Sequence, residues 1–117
     1  MATGHNHQLI VTIIDKGRSE PIIKASRAAG AEGGTVIYGR GIGIHERQML
    51  LGIPIEPEKE LVLTVIPRNL TEKVLTAIIE AGDLNKPGSG IAFVLDLDRV
   101  AGIAHLLQKP PQKPEKD

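Results

Sequence analysis

The chain contains no cysteine and no tryptophan, and its 117 residues include one phenylalanine and one tyrosine. Without cysteine there is no disulfide bond, no catalytic thiolate and no zinc site built on sulfur. Proteins that hold single-stranded nucleic acid stack its bases on aromatic side chains, and only 2% of these residues are aromatic. The composition therefore argues against a reader of single-stranded nucleic acid.

An excess of charge of either sign is also missing, because 14 acidic residues balance 14 basic residues. A neutral chain has no general attraction to nucleic acid or to an anionic membrane surface. The apolar run at 9–14 is too short to cross a bilayer, and residues 1–7 lack the basic and apolar regions of a signal peptide. We therefore expect a cytoplasmic protein that binds no nucleic acid and is not inserted in a membrane.

Four segments have the composition of β-strands. They are short, rich in β-branched residues and bounded by glycine, proline or charged residues, and they cover 8–15, 34–38, 60–66 and 91–97. The segment between the second and third strands, 39–57, shows no steady period and is interpreted as a long connection. A connection of this length in a small domain is more often functional than idle.

Two helices are predicted between these strands. Ser19 can cap the first helix, and Gly30 can end it as a left-handed residue. Asn69 and Glu72 resemble a capping box for the second helix, which Gly82 ends. The resulting order, βαββαβ, predicts an α+β, ferredoxin-like sandwich: an antiparallel four-stranded sheet with two helices on one face.

The predicted strands are apolar on both faces. Leu9, Val11 and Ile13 lie on one face of the first strand, but Ile10 and Ile14 lie on the other. A sheet face this apolar needs a cover, and no further segment of the chain is left to supply one. Other copies of the same sheet are the expected cover, which predicts a homo-oligomer.

Two glycine-rich segments, 39–43 and 86–90, could let backbone N–H groups surround a phosphate, with a nearby lysine adding charge. Neither is a Walker motif or a dinucleotide fingerprint, so on spacing alone two ordinary turns are the favoured explanation. His45 and Glu46 begin a zinc-protease motif, but Met49 stands where its second histidine is needed. No nucleophile, base and oxyanion donor can be assembled, so we predict no enzymatic activity and no metal site.

Taken together, residues 8–98 resemble the PII signal-transduction (nitrogen regulatory protein P-II) family. The resemblance depends on the βαββαβ order, Gly34-Thr35-Val36, the Gly-x-Gly of Gly41 and Gly43, and the run 86–90 before Phe93. It implies a domain at 1–107 that forms a homotrimer with the sheets lining its centre. The family's T-loop corresponds to about 39–57 and its B-loop to about 83–90. Residues 108–117, rich in proline and lysine, are expected to be disordered.

The resemblance also implies ligands and partners. An adenine nucleotide (ATP, ADP or AMP, with or without Mg²⁺) would bind in the clefts between subunits. The nucleotide-binding residues would be Ile14, Thr35, Gly41, Ile42, Gly43, Lys59, Val65, Lys86, Pro87, Gly88, Ser89 and Gly90. The T-loop would dock on a membrane transporter or a metabolic enzyme. Its partner-binding residues would be His45, Arg47, Met49, Leu50, Leu51 and Ile53.

The chain departs from the family pattern at several positions. Ile91 replaces a phosphate-binding lysine, and Gly102-Ile103-Ala104 replaces an Arg-x-Arg motif. Ile44-His45 replaces the Arg-Gln pair that senses 2-oxoglutarate, and no modifiable tyrosine lies in the loop. These departures predict weaker nucleotide binding, or a ligand with fewer phosphates, and argue against 2-oxoglutarate sensing and uridylylation. Four arginines could replace the lost cations, namely Arg40, Arg47, Arg68 and Arg99.

One alternative stays open. A trimeric protein similar to the CutA group could bind a metal ion or small ligand on the same scaffold through His45 and Glu46.

Overall fold

The structure, a computed structural model, describes residues 6–41, 48–51, 53–55 and 57–102. Its elements in chain order are β1 (His7–Asp15), α1 (Ser19–Ala28), β2 (Thr35–Arg40), β3 (Gln48–Leu50), β4 (Ile53–Ile55), β5 (Glu58–Pro67), α2 (Thr71–Gly82) and β6 (Ile91–Leu97). A 3₁₀ turn at Arg68–Leu70 leads into α2. The predicted βαββαβ order is confirmed, with the small strands β3 and β4 added to it.

The main sheet has four strands in the order β2-β5-β1-β6, and every neighbouring pair is antiparallel. The two central strands, β1 and β5, are the ones that the sequence shows as apolar on both faces. The predicted ferredoxin-like sheet is therefore confirmed. Its antiparallel pairing brings the end of β1 beside the starts of β5 and β6, which matters for the site described below.

The hydrophobic core lies between one face of this sheet and the two helices. Ile10 of β1, Val62 of β5, Ile22 of α1 and Val74 and Ile78 of α2 are all at most 1% exposed. Val74 and Ile78 are four residues apart, so they share the face of α2 that meets the sheet, as the sequence pattern predicts. Burial of each such side chain stabilises the fold by roughly 1.5–3 kcal/mol.

The opposite face of the sheet, which we call the free face, is just as apolar. Its apolar residues include Leu9, Val11, Ile13, Ile37, Leu61, Leu63, Val65, Ile91, Phe93 and Leu95. Ile91 is 55% exposed and Phe93 41%, and no helix within the described ranges lies on this side. A monomer would expose this patch to water, so the structure bears out the sequence argument that the face needs a cover.

The predicted cap of α1 is wrong. The helix begins at Ser19 itself, after Arg18, and no side chain from these positions caps it. Instead Glu60, from the neighbouring strand β5, accepts a hydrogen bond of 3.1 Å from the Ser19 N–H. Hydrogen bonds from the Ser19 side chain and from the backbone of Gly17 and Ser19 hold the pKa of this buried carboxyl below its usual range. The start of α1 is thus capped by a side chain that lies 41 residues away in the sequence.

Replacing Glu60 with glutamine is expected to lower the free energy of unfolding by about 1–3 kcal/mol at pH 7, because an amide cannot satisfy all of these donors. The pKa of Glu60 is lower in the folded than in the unfolded protein, so its stabilisation is present above the unfolded value of about 4.3. It is lost as the pH falls through the folded value, and the variant should then approach wild type. Urea denaturation followed by circular dichroism at pH 7 and pH 3 measures both effects.

The matched control for this prediction is Glu72→Gln, which removes an exposed acid from the first turn of α2. Loss of its interaction with the helix dipole should cost only about 0.3–1 kcal/mol. Equal losses in the two variants would mean that Glu60 acts through its charge alone and not as a buried cap.

The start and end of α2 also differ from the prediction. The 3₁₀ turn occupies the proposed capping box, Leu70 is the N-cap, and no side chain of Asn69 or Glu72 caps the helix. At the other end the left-handed residue is Asp83, with φ of 54°, and not Gly82. Gly82 instead allows close packing of α2 on α1, because a Cβ there would lie 2.8 Å from Ile22 Cδ1 and would require that side chain to shift.

The sequence analysis interpreted 39–57 as a long connection without secondary structure, but the structure has two short strands within it. Strands β3 and β4 pair antiparallel in a short ribbon, with Gln48 opposite Ile55 and Leu50 opposite Ile53. Leu51 lies at its turn with φ of 53° and is 92% exposed. Three-residue strands are too short for a period to be read, which is why the pattern missed them.

Candidate ligand site at one end of the sheet

Glycine-rich and basic segments meet at one end of the main sheet, which we call the loop end. In the ladders Asp15 lies opposite Lys59, and Lys59 lies opposite Gly39. Gly41 continues from β2, and its N–H donates to the Pro57 carbonyl at 3.3 Å. Ile13 lies opposite Ile91, so the 86–90 segment reaches the sheet at this same end.

The segment 86–89 forms a type II turn. The Ser89 N–H donates to the Lys86 carbonyl at 3.1 Å, Pro87 occupies the second position, and Gly88 the third with φ of 86°. A type II turn needs a positive φ at this third position, which glycine adopts without strain. Lys86 and Gly88 are exposed, and Ser89 is buried. The Ser89 N–H is therefore hydrogen-bonded within the turn, whereas the Gly88 N–H has no backbone acceptor within the described ranges.

Gly90 anchors this turn to β1. Its φ is 137°, and a Cβ built on it would lie 2.5 Å from the Ile13 carbonyl oxygen and 2.8 Å from Ile14 Cγ2. No larger residue fits without moving the backbone. The sequence explains this glycine by close approach of a phosphate, but the structure shows close approach to the chain's own strand.

Lys59 and Asp15 form an ion pair at the margin of the free face. Lys59 Nζ lies 2.7 Å from Asp15 Oδ1. The lysine side chain is 11% exposed and the aspartate side chain 43% exposed. A partly desolvated pair interacts more strongly than a surface pair, so Lys59 is held by an internal partner.

A second ion pair lies nearby, on the surface. Lys16 Nζ is 2.9 Å from Glu58 Oε1, and their hydrogen bond raises the pKa of Lys16 and lowers the pKa of Glu58. The two side chains line a shallow cleft of about 490 Å³ together with Tyr38, Gly39 and Arg40. Arg40 is thus the one candidate replacement cation that lies at the loop end of its own subunit within the described ranges. Arg68 lies at the opposite end, 2.6 Å from Asp96.

The structure brings only part of the predicted nucleotide site together within one subunit. Gly41, Lys59 and the turn at 86–90 share the loop end. Val65 lies six residues from Lys59 along β5, a distance of about 20 Å. Thr35 lies opposite Leu63, about 13 Å from the same end. The side chain of Ile14 is buried in the core, so only its backbone can meet a ligand.

Several predicted residues lie outside the described ranges. They are Ile42, Gly43, His45 and Arg47, together with Glu46 of the alternative metal site and the tail at 108–117. Of the predicted partner-binding residues, Met49 and Leu50 belong to β3, Ile53 belongs to β4, and Leu51 is exposed at their turn. The described residues include no group of three histidine, aspartate or glutamate side chains that could hold a metal ion.

Sequence reasoning overlooked Asp15, Lys16 and Glu58 at the loop end. All three are charged residues at the boundary of a strand, at the end of β1 or the start of β5. That position is the only signal in the sequence, and it is ambiguous because charged strand ends are common. Their pairing depends on the register between β1 and β5.

The family model described as nitrogen regulatory protein P-II matches residues 7–105. This chain belongs to the P-II family. The match covers both helices, all strands of the main sheet and the loop end described above. The resemblance drawn from the glycine-rich segments is therefore confirmed, and the chain is a P-II-like regulatory protein.

Solved structures agree with the P-II assignment at the level of the fold. The Arabidopsis thaliana PII protein bound to citrate matches with 22% identity and a TM-score of 0.63, covering 86% of this chain and 83% of that one. A Bacillus cereus protein related to NIF3 matches with 21% identity and a TM-score of 0.64, covering 84% of this chain but 27% of that one. No curated protein matches the sequence significantly. In the described part of this P-II protein, no helix is long and apolar enough to span a membrane.

Proposed function

We propose that this P-II protein is a homotrimeric regulator that binds an adenine nucleotide between subunits and controls a target protein through its T-loop. The observation that carries the proposal is the meeting of Lys59, Gly41 and the type II turn at 86–89 beside an uncovered apolar sheet face. A phosphate is bound by cations and by backbone N–H groups without a backbone acceptor in the described ranges, such as that of Gly88, and the apolar face is what an oligomer buries.

The free face supports the trimer. Its exposed residues on β6, such as Ile91 and Phe93, continue across the sheet to Ile37 on the other edge. Contiguous apolar patches of this kind mark sites of association, and copies of the same chain form closed symmetric assemblies. The choice of three copies comes from the family.

The predicted nucleotide-binding residues lie in two separate regions of the subunit, and this separation supports a binding cleft between subunits. Val65 and Thr35 are too far from the loop end to meet a ligand bound there by the same subunit. Both lie on the free face or its margin, where a neighbouring copy would pack. In the proposed trimer these residues contact the adenine of a nucleotide whose phosphates lie at the loop end of the next subunit. The preference for adenine comes from the family.

The β3–β4 ribbon supports a docking role for the T-loop. Leu51 at its turn is 92% exposed, and Met49, Leu50 and Ile53 flank it. An exposed apolar residue at the turn of a short ribbon suits insertion into a groove of a partner, and methionine adapts to irregular surfaces. A membrane transporter or a metabolic enzyme is the proposed target. The protein's role is regulatory and not catalytic, and its proposed location is the cytoplasm.

Isothermal titration calorimetry with ATP, ADP and AMP tests the nucleotide proposal. Wild type should bind at least one of them with a dissociation constant below 1 mM, roughly the lower limit of useful affinity. Gly88→Val should weaken that binding about tenfold or more, because a branched side chain at positive φ disturbs the turn that offers the Gly88 N–H. Hydrogen exchange across 47–55 should slow when nucleotide is added.

The matched control is Gly30→Ala, another substitution at a positive φ, but beside Leu70 at the opposite end of the subunit. It should leave affinity unchanged. If no adenine nucleotide binds wild type at millimolar concentration, the proposed function is wrong.

A further inference from the structure

His7 is a buried histidine on the free face, at the end of the sheet opposite the loop end. Alternate residues of a strand point to opposite sides of the sheet, and His7 precedes Leu9 of the free face by two positions. The residue is 6% exposed, and its Nε2 atom has no hydrogen-bond partner within the described ranges. Most buried polar atoms in proteins have a partner, so this nitrogen calls for an explanation.

The neighbours of His7 on the free face are apolar. Pro67 of β5 and Leu97 of β6 lie directly opposite it in the two ladders. The next positions on the same face are Leu9, Val65 and Leu95. Among these side chains none carries a charge or accepts a hydrogen bond, so they cannot offset a charge on the imidazole ring.

The charged residues near this end of the sheet do not compensate His7 either. Asp96 precedes Leu97 on β6, so its side chain lies on the other side of the sheet, where it pairs with Arg68 at 2.6 Å. Asp98 and Arg99 follow the strand and are exposed, so water screens their charges.

A second copy packed on the free face would not supply a free carboxylate from that face. Within the described ranges the acidic side chain on the free face is Asp15, at the loop end. Asp15 is already paired with Lys59 of its own chain at 2.7 Å. An assembly through the free face therefore covers His7 without giving it a counter-charge.

Protonation of His7 would place a charged donor in these surroundings. Histidine side chains gain a proton between pH 5 and 8, and the imidazolium form carries an N–H group on both nitrogens. The buried Nε2 would then be a charged donor without an acceptor. In a separated subunit the end of the edge strand β6 can open locally and admit water to the ring. A covering subunit excludes that water, so protonation favours separated subunits.

We infer that His7 is a pH-sensitive switch of the assembly, whose protonation separates the subunits at the free face. This inference rests on the proposed homotrimer, and it adds a form of regulation that is independent of nucleotide. The assembly is stable above about pH 6.5, where histidine side chains are ordinarily neutral, and weakens as the pH falls below that value. Because the proposed nucleotide cleft lies between subunits, acid should release nucleotide as well.

The test is sedimentation equilibrium of wild type and His7→Leu at pH 8 and pH 5.5, at a urea concentration that leaves wild type half assembled at pH 8. The trimer association constant of wild type should fall about 1,000-fold at pH 5.5, because each of three copies contributes about tenfold. His7→Leu should assemble at least as well as wild type at pH 8, since leucine suits an apolar face. Its association constant should change at most about tenfold between the two pH values.

Two further variants separate His7 from histidine in general. His7→Gln keeps a polar group that does not titrate, so it should also lose the response to pH, and it serves if His7→Leu does not fold. His105→Gln removes a different histidine and should keep the response of wild type. A response that disappears in His105→Gln and persists in His7→Gln would overturn the inference.

The outcomes distinguish this inference from the proposed function. If wild type and His7→Leu lose assembly equally at pH 5.5, the role of His7 is wrong and the proposed function stands. If wild type is a single chain at pH 8 without urea, the assembly through the free face and this inference are both overturned.

Discussion

Replacing Phe93 with glutamate is expected to convert the protein from a particle of three times the 12.5 kDa chain mass to a single chain. Phe93 lies opposite Val11, on the free face and on the edge strand β6. It is 41% exposed in the isolated subunit, so a carboxylate there can reach water and the subunit can fold. In an assembly that covers the free face the same carboxylate would be buried without a partner. Each buried charge costs several kcal/mol, and a trimer would bury three of them.

Multi-angle light scattering at micromolar concentration measures this change in mass. Lys73→Glu is the control, because Lys73 is exposed on α2, away from the free face, and the substitution also introduces a glutamate. This control should keep the mass of wild type. A wild-type protein that is monomeric, or a Phe93→Glu variant that keeps the wild-type mass, would contradict the assembly through the free face. Loss of nucleotide binding together with the change in mass would further support a site shared between subunits.

Replacing Gly90 with alanine is expected to lower the free energy of unfolding by about 2–5 kcal/mol, combining an unfavourable positive φ with overpacking. The added Cβ would lie 2.5 Å from a backbone oxygen of Ile13, and a strand at the centre of the sheet cannot easily move away. The start of β6 should then shift from β1, which also displaces the turn at 86–89. We expect nucleotide affinity to fall with stability at this position.

Urea denaturation followed by circular dichroism measures the loss. Gly33→Ala is the matched control, because a Cβ there would meet nothing within 4 Å and its φ is not positive. That control should be neutral or slightly stabilising, since alanine restricts the unfolded chain more than glycine does. A Gly90→Ala variant as stable as the Gly33→Ala control would show that the contact between the turn and β1 is not needed.

The sequence by itself determined the elements of this protein and their order. Strand β6 has the bounds that its composition predicts, and Val74 and Ile78 occupy the buried face that their spacing predicts. The two apolar faces of β1 were also readable, and with them the need for a cover. These features depend on which side chains in a short segment face water and which face the core. A local pattern of apolar and polar residues therefore predicts them.

Tertiary structure alone decided how the site is built. Glu60 caps α1 from 41 residues away, and Asp15 meets Lys59 across 44 residues, where the sequence suggested a local serine cap and an available lysine. Gly90 is required by its approach to Ile13, on the first strand, and not by its neighbours in the chain. The physical reason is the same in each case. The register of antiparallel strands sets which distant backbone and charged groups come within hydrogen-bonding distance, and no period in the sequence records that register.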